Sequence, residues 1–273
     1  MLLSVFLICV LLGSVVGFFA GLLGIGGGLI IVPALVYLLP QLGVEANLVM
    51  PMALGTSLAT IVVTSFSASL AHHRNKNIPW PLAKKLMIAI ALGSLLGAFI
   101  ADVLSIEALK NTFAVAVFVL SSYMFIAIHN AKKNKMIVNN EDEKLPSNII
   151  VKSIGFFTGI LASLMGIAGG AILIPILRYY KVPFRHSIGV ATVSGMVVAI
   201  FGVAGYIIAG FGKVNLPEYS LGYVYLPALL GIIITSSFFA PVGVKAATKL
   251  PVRTIKKAFA VFLMLVAVKM ILS

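Results

Sequence analysis

Two glycine clusters in this chain have the composition of an anion-binding backbone, and they occupy matching places in its two halves. Residues 17–33 read Gly-Phe-Phe-Ala-Gly-Leu-Leu-Gly-Ile-Gly-Gly-Gly-Leu-Ile-Ile-Val-Pro, and residues 155–175 repeat the pattern with four more residues, about one helical turn. A helix that begins after such a turn presents free N–H groups and the positive end of its dipole, which suits a small anion. The alternative is that the glycines only allow helices to pack closely. The candidate residues are Gly24, Gly26, Gly27 and Gly28 in the first half, and Gly166, Gly169 and Gly170 in the second.

Hydroxyl side chains follow each glycine cluster at corresponding places. The candidates are Thr56 and Ser57 in the first half, and Thr192 and Ser194 in the second, with Thr158 and Ser163 as weaker ones. A hydroxyl can donate a hydrogen bond to an anion without the cost of burying a charge. It can equally bond to the preceding turn of its own helix, which is the common fate of Ser and Thr in membrane helices.

Acidic side chains are scarce and lie in or beside the predicted loops. The seven are Glu45, Asp102, Glu107, Glu141, Asp142, Glu143 and Glu218. A membrane protein that carries cations or relays protons usually places a carboxylate within the membrane, so this distribution argues against cation transport. No metal site, cofactor motif or nucleotide-binding glycine loop is recognisable, and we predict no cofactor.

Composition places the chain in the membrane. Of its 273 residues 61% are hydrophobic and 10% are charged, whereas about a quarter of a soluble domain is charged. The net charge of +13 is typical of cytoplasmic loops in a membrane protein and does not indicate nucleic acid. We therefore expect the lipid bilayer as a partner and no nucleic acid, while the oligomeric state stays open, with a homodimer as one arrangement.

Apolar segments predict an all-α polytopic fold. The ten predicted helical segments are 2–23, 28–39, 47–71, 81–101, 107–129, 149–166, 170–180, 186–210, 220–243 and 254–272. The segments 28–39 and 170–180 are too short to cross a core of about 30 Å, so each is expected to form a hairpin with the preceding helix. We predict a first transmembrane repeat at 1–130, a cytoplasmic linker at 131–148 and a second repeat at 149–273.

The basic residues test whether the glycine-broken stretches turn back. If they do, 17 of the 20 Lys and Arg residues lie on one side, and only Lys110, Lys213 and Lys269 lie opposite. If each stretch is one continuous crossing, the split is 11 against 9. The positive-inside rule favours the first arrangement. It predicts two inverted-topology repeats, each a glycine-broken hairpin plus three transmembrane helices, with both termini outside the cytoplasm.

The repeated Gly-Phe-Phe-x-Gly and Gly-Ile-Gly-Gly-Gly motifs, followed by Gly55-Thr56-Ser57 and a His-rich basic loop, resemble the TauE/SafE sulfite exporter family. The resemblance covers essentially the whole chain. It implies export of a sulfur-containing anion, such as sulfite, sulfoacetate or another organosulfonate, across a prokaryotic inner membrane. The second copy departs from the first, since Ala168, Ala191 and Val193 replace Gly26, Gly55 and Ser57, which argues against a symmetric site.

We therefore expect a secondary transporter of a small sulfur oxyanion, with its site at the repeat interface, and not an enzyme. An anion channel, or a permease for another anion such as a carboxylate, is the alternative reading. A serine protease based on Ser57 is disfavoured, because the nearest histidine, His72, lies about 22 Å along the same helix. A membrane scaffold would show no solute flux.

Overall fold

The fold is a bundle of ten helices in a computed structural model that describes residues 2–23, 27–130, 147–249 and 252–272. In these residues the helices are α1 (Leu2–Leu23), α2 (Gly28–Leu38), α3 (Ala46–Arg74), α4 (Trp80–Val103), α5 (Ile106–Asn130), α6 (Asn148–Leu164), α7 (Gly170–Tyr179), α8 (Phe184–Gly210), α9 (Leu226–Lys249) and α10 (Val252–Leu272). A short 3₁₀ helix, Leu39–Leu42, follows α2, and two strands, β1 (Ser220–Leu221) and β2 (Val224–Tyr225), precede α9.

The helical order agrees with the prediction, with one correction. The segment 220–243 was expected to be helical throughout, but residues 220–225 form an antiparallel hairpin and the helix begins at Leu226. The hairpin is fixed by one bond within the connection and by one bond to the distant helix α3. The Tyr225 N–H donates to Thr56 Oγ1 at 3.0 Å, and the Leu226 N–H donates to the Tyr219 carbonyl at 3.1 Å.

Long apolar helices make this chain a multi-pass membrane protein. Within the described residues five helical segments are long and apolar enough to cross a bilayer. They are Ala46–Arg74, Trp80–Val103, Ile106–Ile126, Phe184–Gly210 and Leu226–Gly243. Lipid offers backbone groups no hydrogen bonds, so segments of this composition are confined to helices that satisfy their own.

Contacts between loops show which helix termini lie together at each of the two opposite ends of the molecule. At one, which we call the Asp102 end, Lys213 lies 2.9 Å from Asp102, and Asn215 donates to Glu45 at 2.6 Å. At the other, the Asn77 end, the Asn77 carbonyl packs against Gly189. Helix α3, with 29 residues, runs from the first end to the second.

The two short helices turn back instead of crossing. Helix α2 has 11 residues, about 16 Å, and α7 has 10. Helix α6 begins beside the start of α4, and α7 ends shortly before α8, which begins at the same Asn77 end. Helix α1 begins beside the start of α9, and α2 leads back to the Asp102 end, where α3 begins. Each pair is therefore a hairpin that enters and leaves at one end.

Helices of one half pack mainly on helices of the other. Helix α1 packs along α9 and α4 along α6, while α3 packs on α8 and α5 on α10. Small residues bring the backbones together: a Cβ at Gly17 would lie 2.5 Å from Ser236 Cα, and one at Gly97 would lie 2.7 Å from the Ile160 carbonyl oxygen. The α3–α8 pair is antiparallel, because Gly55 meets Tyr206 whereas Ser65 meets Gly195.

Candidate functional site

The two glycine clusters meet at the centre of the bundle, as far as the structure describes them. Gly24 and Gly26 lie outside the described residues. Gly28, the first residue of α2, lies directly against the Gly166 carbonyl oxygen, and a Cβ at Gly28 would be 3.2 Å from Ile167 Cα. The start of the short helix in one half therefore touches the turn before the short helix in the other.

The turn between α6 and α7, residues 165–169, has glycine at two positions with left-handed backbone. Gly166 and Gly169 have φ angles of +60° and +66°, a conformation that residues with a Cβ rarely adopt. The turn is tied to α3, because Ser57 Oγ donates to the Gly166 carbonyl at 2.8 Å. Ser57 thus holds the turn against α3 by a hydrogen bond.

The start of α7 leaves backbone donors unused. The N–H groups of Ile172 and Leu173 bond to the Gly169 carbonyl at 3.1 and 2.9 Å, but those of Gly170 and Ala171 donate to no described residue. In the part of the chain that the structure describes, a Cβ at Gly170 would have one neighbour within 4 Å outside its own helix, Ala191 Cβ at 3.6 Å. Among the described residues, the start of α7 therefore has two N–H groups without partners, the positive end of the helix dipole and some space.

Helix α8 presents one face to this turn. A Cβ at Gly195 would lie 2.6 Å from the Ala168 carbonyl oxygen, and Val198 Cγ2 lies 3.5 Å from the Cβ position of Gly169. Ser194 shares this face by helical spacing with Ala191 and Val198. Its side chain is 1% exposed and its Oγ has no hydrogen-bond partner among the described residues, which is rare for a buried hydroxyl.

Two further hydroxyl residues lie beside the turn or beside the α8 residue that contacts it. Thr158 on α6 places Cγ2 3.5 Å from the Cβ position of Gly169, and Ser65 on α3 places Oγ 3.3 Å from that of Gly195. Ser65 was not among the predicted site residues. A signal was available, because Ser57 and Ser65 are eight residues apart and lie on one face of a helix.

The other predicted hydroxyls have partners or lie elsewhere. Thr56 accepts the Tyr225 N–H, and Thr192 donates to the Gly189 carbonyl of its own helix at 2.9 Å. Ser163 Oγ is buried without a described partner, 3.3 Å from the Cβ position of Gly202. Gly27 caps α2 through its carbonyl, which accepts from Ile30 and Ile31 at 3.0 Å. That these residues contact a ligand stays a prediction.

The turn contains no ionisable side chain. The glycines, hydroxyls and apolar residues named above surround it, and the described residues contain no cluster of His, Cys, Asp or Glu that could hold a metal ion. Glu45 and Asp102 lie at the Asp102 end, while Glu141, Asp142 and Glu143 fall outside the described residues. The positive potential at the turn therefore comes from the backbone.

A multi-pass bundle in which two helix hairpins meet through their glycine turns, with backbone donors at the junction, has the architecture of a membrane transporter. The chain belongs to the Sulfite exporter TauE/SafE family, which it matches over residues 9–270. It is a membrane transporter protein and not an enzyme.

Curated relatives agree with this family. The chain is 40% identical over 267 residues to a "Probable membrane transporter protein" of Haemophilus influenzae, covering 98% of both chains. It is 27% identical to "Probable membrane transporter protein MJ0441" of Methanocaldococcus jannaschii, covering 88% of this chain and 86% of the relative. It is also 27% identical to "Probable membrane transporter protein YdhB" of Bacillus subtilis, covering 93% and 94%. No solved structure matches.

Proposed function

We propose that the protein is a secondary transporter that exports a small sulfur-containing oxyanion, such as sulfite or an organosulfonate, from a prokaryotic cell. The observation that carries the proposal is the start of α7. Its Gly170 and Ala171 N–H groups have no described partners. The α8 face that contacts this turn through Ala191, Gly195 and Val198 also carries the buried hydroxyl of Ser194, which has no described partner either. The family name supplies the class of anion.

The chemistry of this cluster suits an anion that must be released. Backbone amides and hydroxyls donate hydrogen bonds to sulfite or sulfonate oxygens, and a helix dipole favours negative charge by about 0.3–2 kcal/mol. No lysine or arginine lies among the residues that form the turn, so the anion is not held by a full opposite charge. Of the predicted residues, Gly169, Gly170 and Ser194 are our candidates for the wall of this site, whereas Thr192 bonds within its own helix.

Alternating access would follow from two inverted-topology repeats that rock against each other. The packing of the halves supports this proposal, because corresponding helices of the two halves make corresponding contacts with the other half. Helix α1 of the first half packs on α9 as α6 of the second packs on α4, and the central helices α3 and α8 pair with each other. The candidate site lies between these central helices.

The proposed location is the inner membrane, with the Asn77 end in the cytoplasm and both termini outside. Basic residues support this orientation, because Arg74, Lys76 and Lys84 lie in or beside the loop at the Asn77 end. The Asp102 end carries Lys213 and, at the start of α5, Lys110.

Flux of radiolabelled sulfite into proteoliposomes tests the proposal, with sulfate, thiosulfate and sulfoacetate as competitors. We expect saturable flux and competition by at least one other sulfur anion. Current that rises without saturation would indicate a channel instead. Absence of sulfite flux, and of competition by any sulfur anion, would refute the proposed substrate class.

A further inference from the structure

The connection between α8 and α9, residues 211–225, folds back into the bundle. We call it the cover hairpin. Tyr223 and Tyr225 are each 3% exposed. The Tyr225 N–H donates to Thr56 Oγ1, and the Tyr223 carbonyl oxygen lies 3.1 Å from the Cβ position of Gly55. The cover hairpin therefore lies on the central helix α3, in the turn of helix that also carries Ser57.

Side chains at the rim of the protein hold the cover hairpin in place. The Tyr223 phenol donates to Asp102 Oδ1 at 2.5 Å, and the Lys213 ammonium lies 2.9 Å from the same oxygen. Asn215 donates to Glu45 Oε1 at 2.6 Å. The side chains of Lys213 and Asp102 are 40% and 23% exposed, so water can replace this ion pair at modest cost.

The phenol of Tyr223 stays a donor at physiological pH. Burial, together with the hydrogen bond to Asp102, raises the pKa of Tyr223 above its usual range. The carboxylate of Asp102 therefore accepts from both a neutral phenol and an ammonium.

A second loop covers the opposite end in a similar way. Residues 75–79, between α3 and α4, place the Asn77 carbonyl against Gly189 on α8, and Ile78 is buried. The half that contains α3 therefore covers α8 at the Asn77 end, while the half that contains α8 covers α3 at the Asp102 end. Two covers at opposite ends are what alternating access requires, since each must open while the other is closed.

We propose that the cover hairpin is the gate at the Asp102 end, and that Asp102 is the latch that keeps it closed through Tyr223 and Lys213. The inference rests on the proposed transport cycle. Opening breaks the bond from Tyr225 to Thr56 and the two bonds to Asp102, and it exposes Thr56 to water.

Chemical labelling beneath the hairpin tests the gate without any measurement of flux. The native cysteine, Cys9, is replaced in a Cys9→Ala background, and Thr56→Cys provides a thiol under the closed hairpin. A water-soluble methanethiosulfonate reagent is applied to the protein in nanodiscs, and the labelling rate is measured. Lys110→Ala is the matched control, because Lys110 lies at the start of α5 at the same end, outside the latch.

Weakening the latch should speed labelling. Loss of an exposed ion pair in Lys213→Ala should raise the rate about twofold to fivefold. Loss of a hydrogen bond to a carboxylate in Tyr223→Phe should raise it about tenfold. Lys110→Ala should label at the parent rate. If both latch variants also label at the parent rate, the gate is refuted.

A crosslink separates this proposal from the proposed substrate. In Glu45→Cys/Asn215→Cys, in the Cys9→Ala background, a short bifunctional thiol reagent should stop flux, and each single-cysteine variant should keep it. Undiminished flux after complete crosslinking would overturn the gate. If the protein carries no sulfite at all, the substrate assignment fails while the labelling rates still decide whether the gate exists.

Discussion

Replacement of Ser194 by alanine tests whether its hydroxyl binds the ligand or stabilises the fold. The two roles predict opposite effects on the stability of the ligand-free protein. Ser194 Oγ is buried and has no described partner. An unsatisfied buried hydroxyl costs about 1–3 kcal/mol. Without a ligand, Ser194→Ala removes this cost, and we expect the thermal midpoint of the purified protein to stay constant or rise.

The affinity for the anion should move in the opposite direction. A hydrogen bond to a charged group contributes about 1.5–3 kcal/mol, which corresponds to a dissociation constant about 10- to 150-fold weaker when it is removed. Titration calorimetry with sulfite in detergent measures this constant directly. The KM for sulfite in proteoliposomes should rise in parallel.

Ser121→Ala is the matched control. Ser121 is also fully buried, but its Oγ donates to the Phe118 carbonyl of α5 at 2.9 Å, away from the turn. This variant should lose a small amount of stability, about 0.5–1.5 kcal/mol, and keep its affinity for sulfite. If Ser194→Ala binds sulfite as tightly as the parent, or is destabilised as Ser121→Ala is, the hydroxyl does not contact the anion and the reasoning is refuted.

Two further predictions concern the glycines and Thr192. Gly28→Ala should lower the thermal midpoint, because its Cβ would overlap the Gly166 carbonyl oxygen. Gly170→Ala should fold normally, because its Cβ has room among the described residues. It should nevertheless reduce the affinity for sulfite, because the added methyl group occupies the space beside the N–H groups of Gly170 and Ala171. Equal thermal midpoints for the two would contradict the packing described. Thr192→Val should keep sulfite flux within about twofold, because its hydroxyl bonds within its own helix; a complete loss of flux would place Thr192 in the site.

The helices could be predicted from sequence because lipid leaves few alternatives. A long apolar segment must satisfy its own backbone, and glycine and proline interrupt it where the chain turns. The bounds of α1, α2 and α7 agree with the prediction to within a residue. The predicted helix bounds were wrong at residues 220–225, where tertiary contacts determine the secondary structure. Residues 220–225 read as apolar sequence continuous with α9, but the Tyr225 N–H finds its acceptor on Thr56, which is 169 residues away.

The candidate site could be predicted in position but not in detail. The repeated pattern located the turn at Gly166–Gly169, because glycine adopts the positive φ angles found there more readily than residues with a Cβ. It could not sort the hydroxyls. Ser57 bonds to a carbonyl 109 residues away, whereas Ser194 has no described partner, and such pairings depend on how the two halves meet.

The packing of the two halves also gives two helix starts that correspond in sequence different surroundings. Gly28 and Gly170 begin α2 and α7 at corresponding places in the repeated motif, yet the Gly166 carbonyl lies against the first, while among the described residues the Cβ position of the second is close to Ala191 Cβ alone. The hydroxyl that fastens Gly166 comes from Ser57, whose counterpart is Val193, and valine cannot donate a hydrogen bond. One half therefore supplies the hydroxyl that binds the Gly166 carbonyl, and the other supplies the helix start that is less crowded by described residues, so the duplicated sequence forms two unequal helix starts.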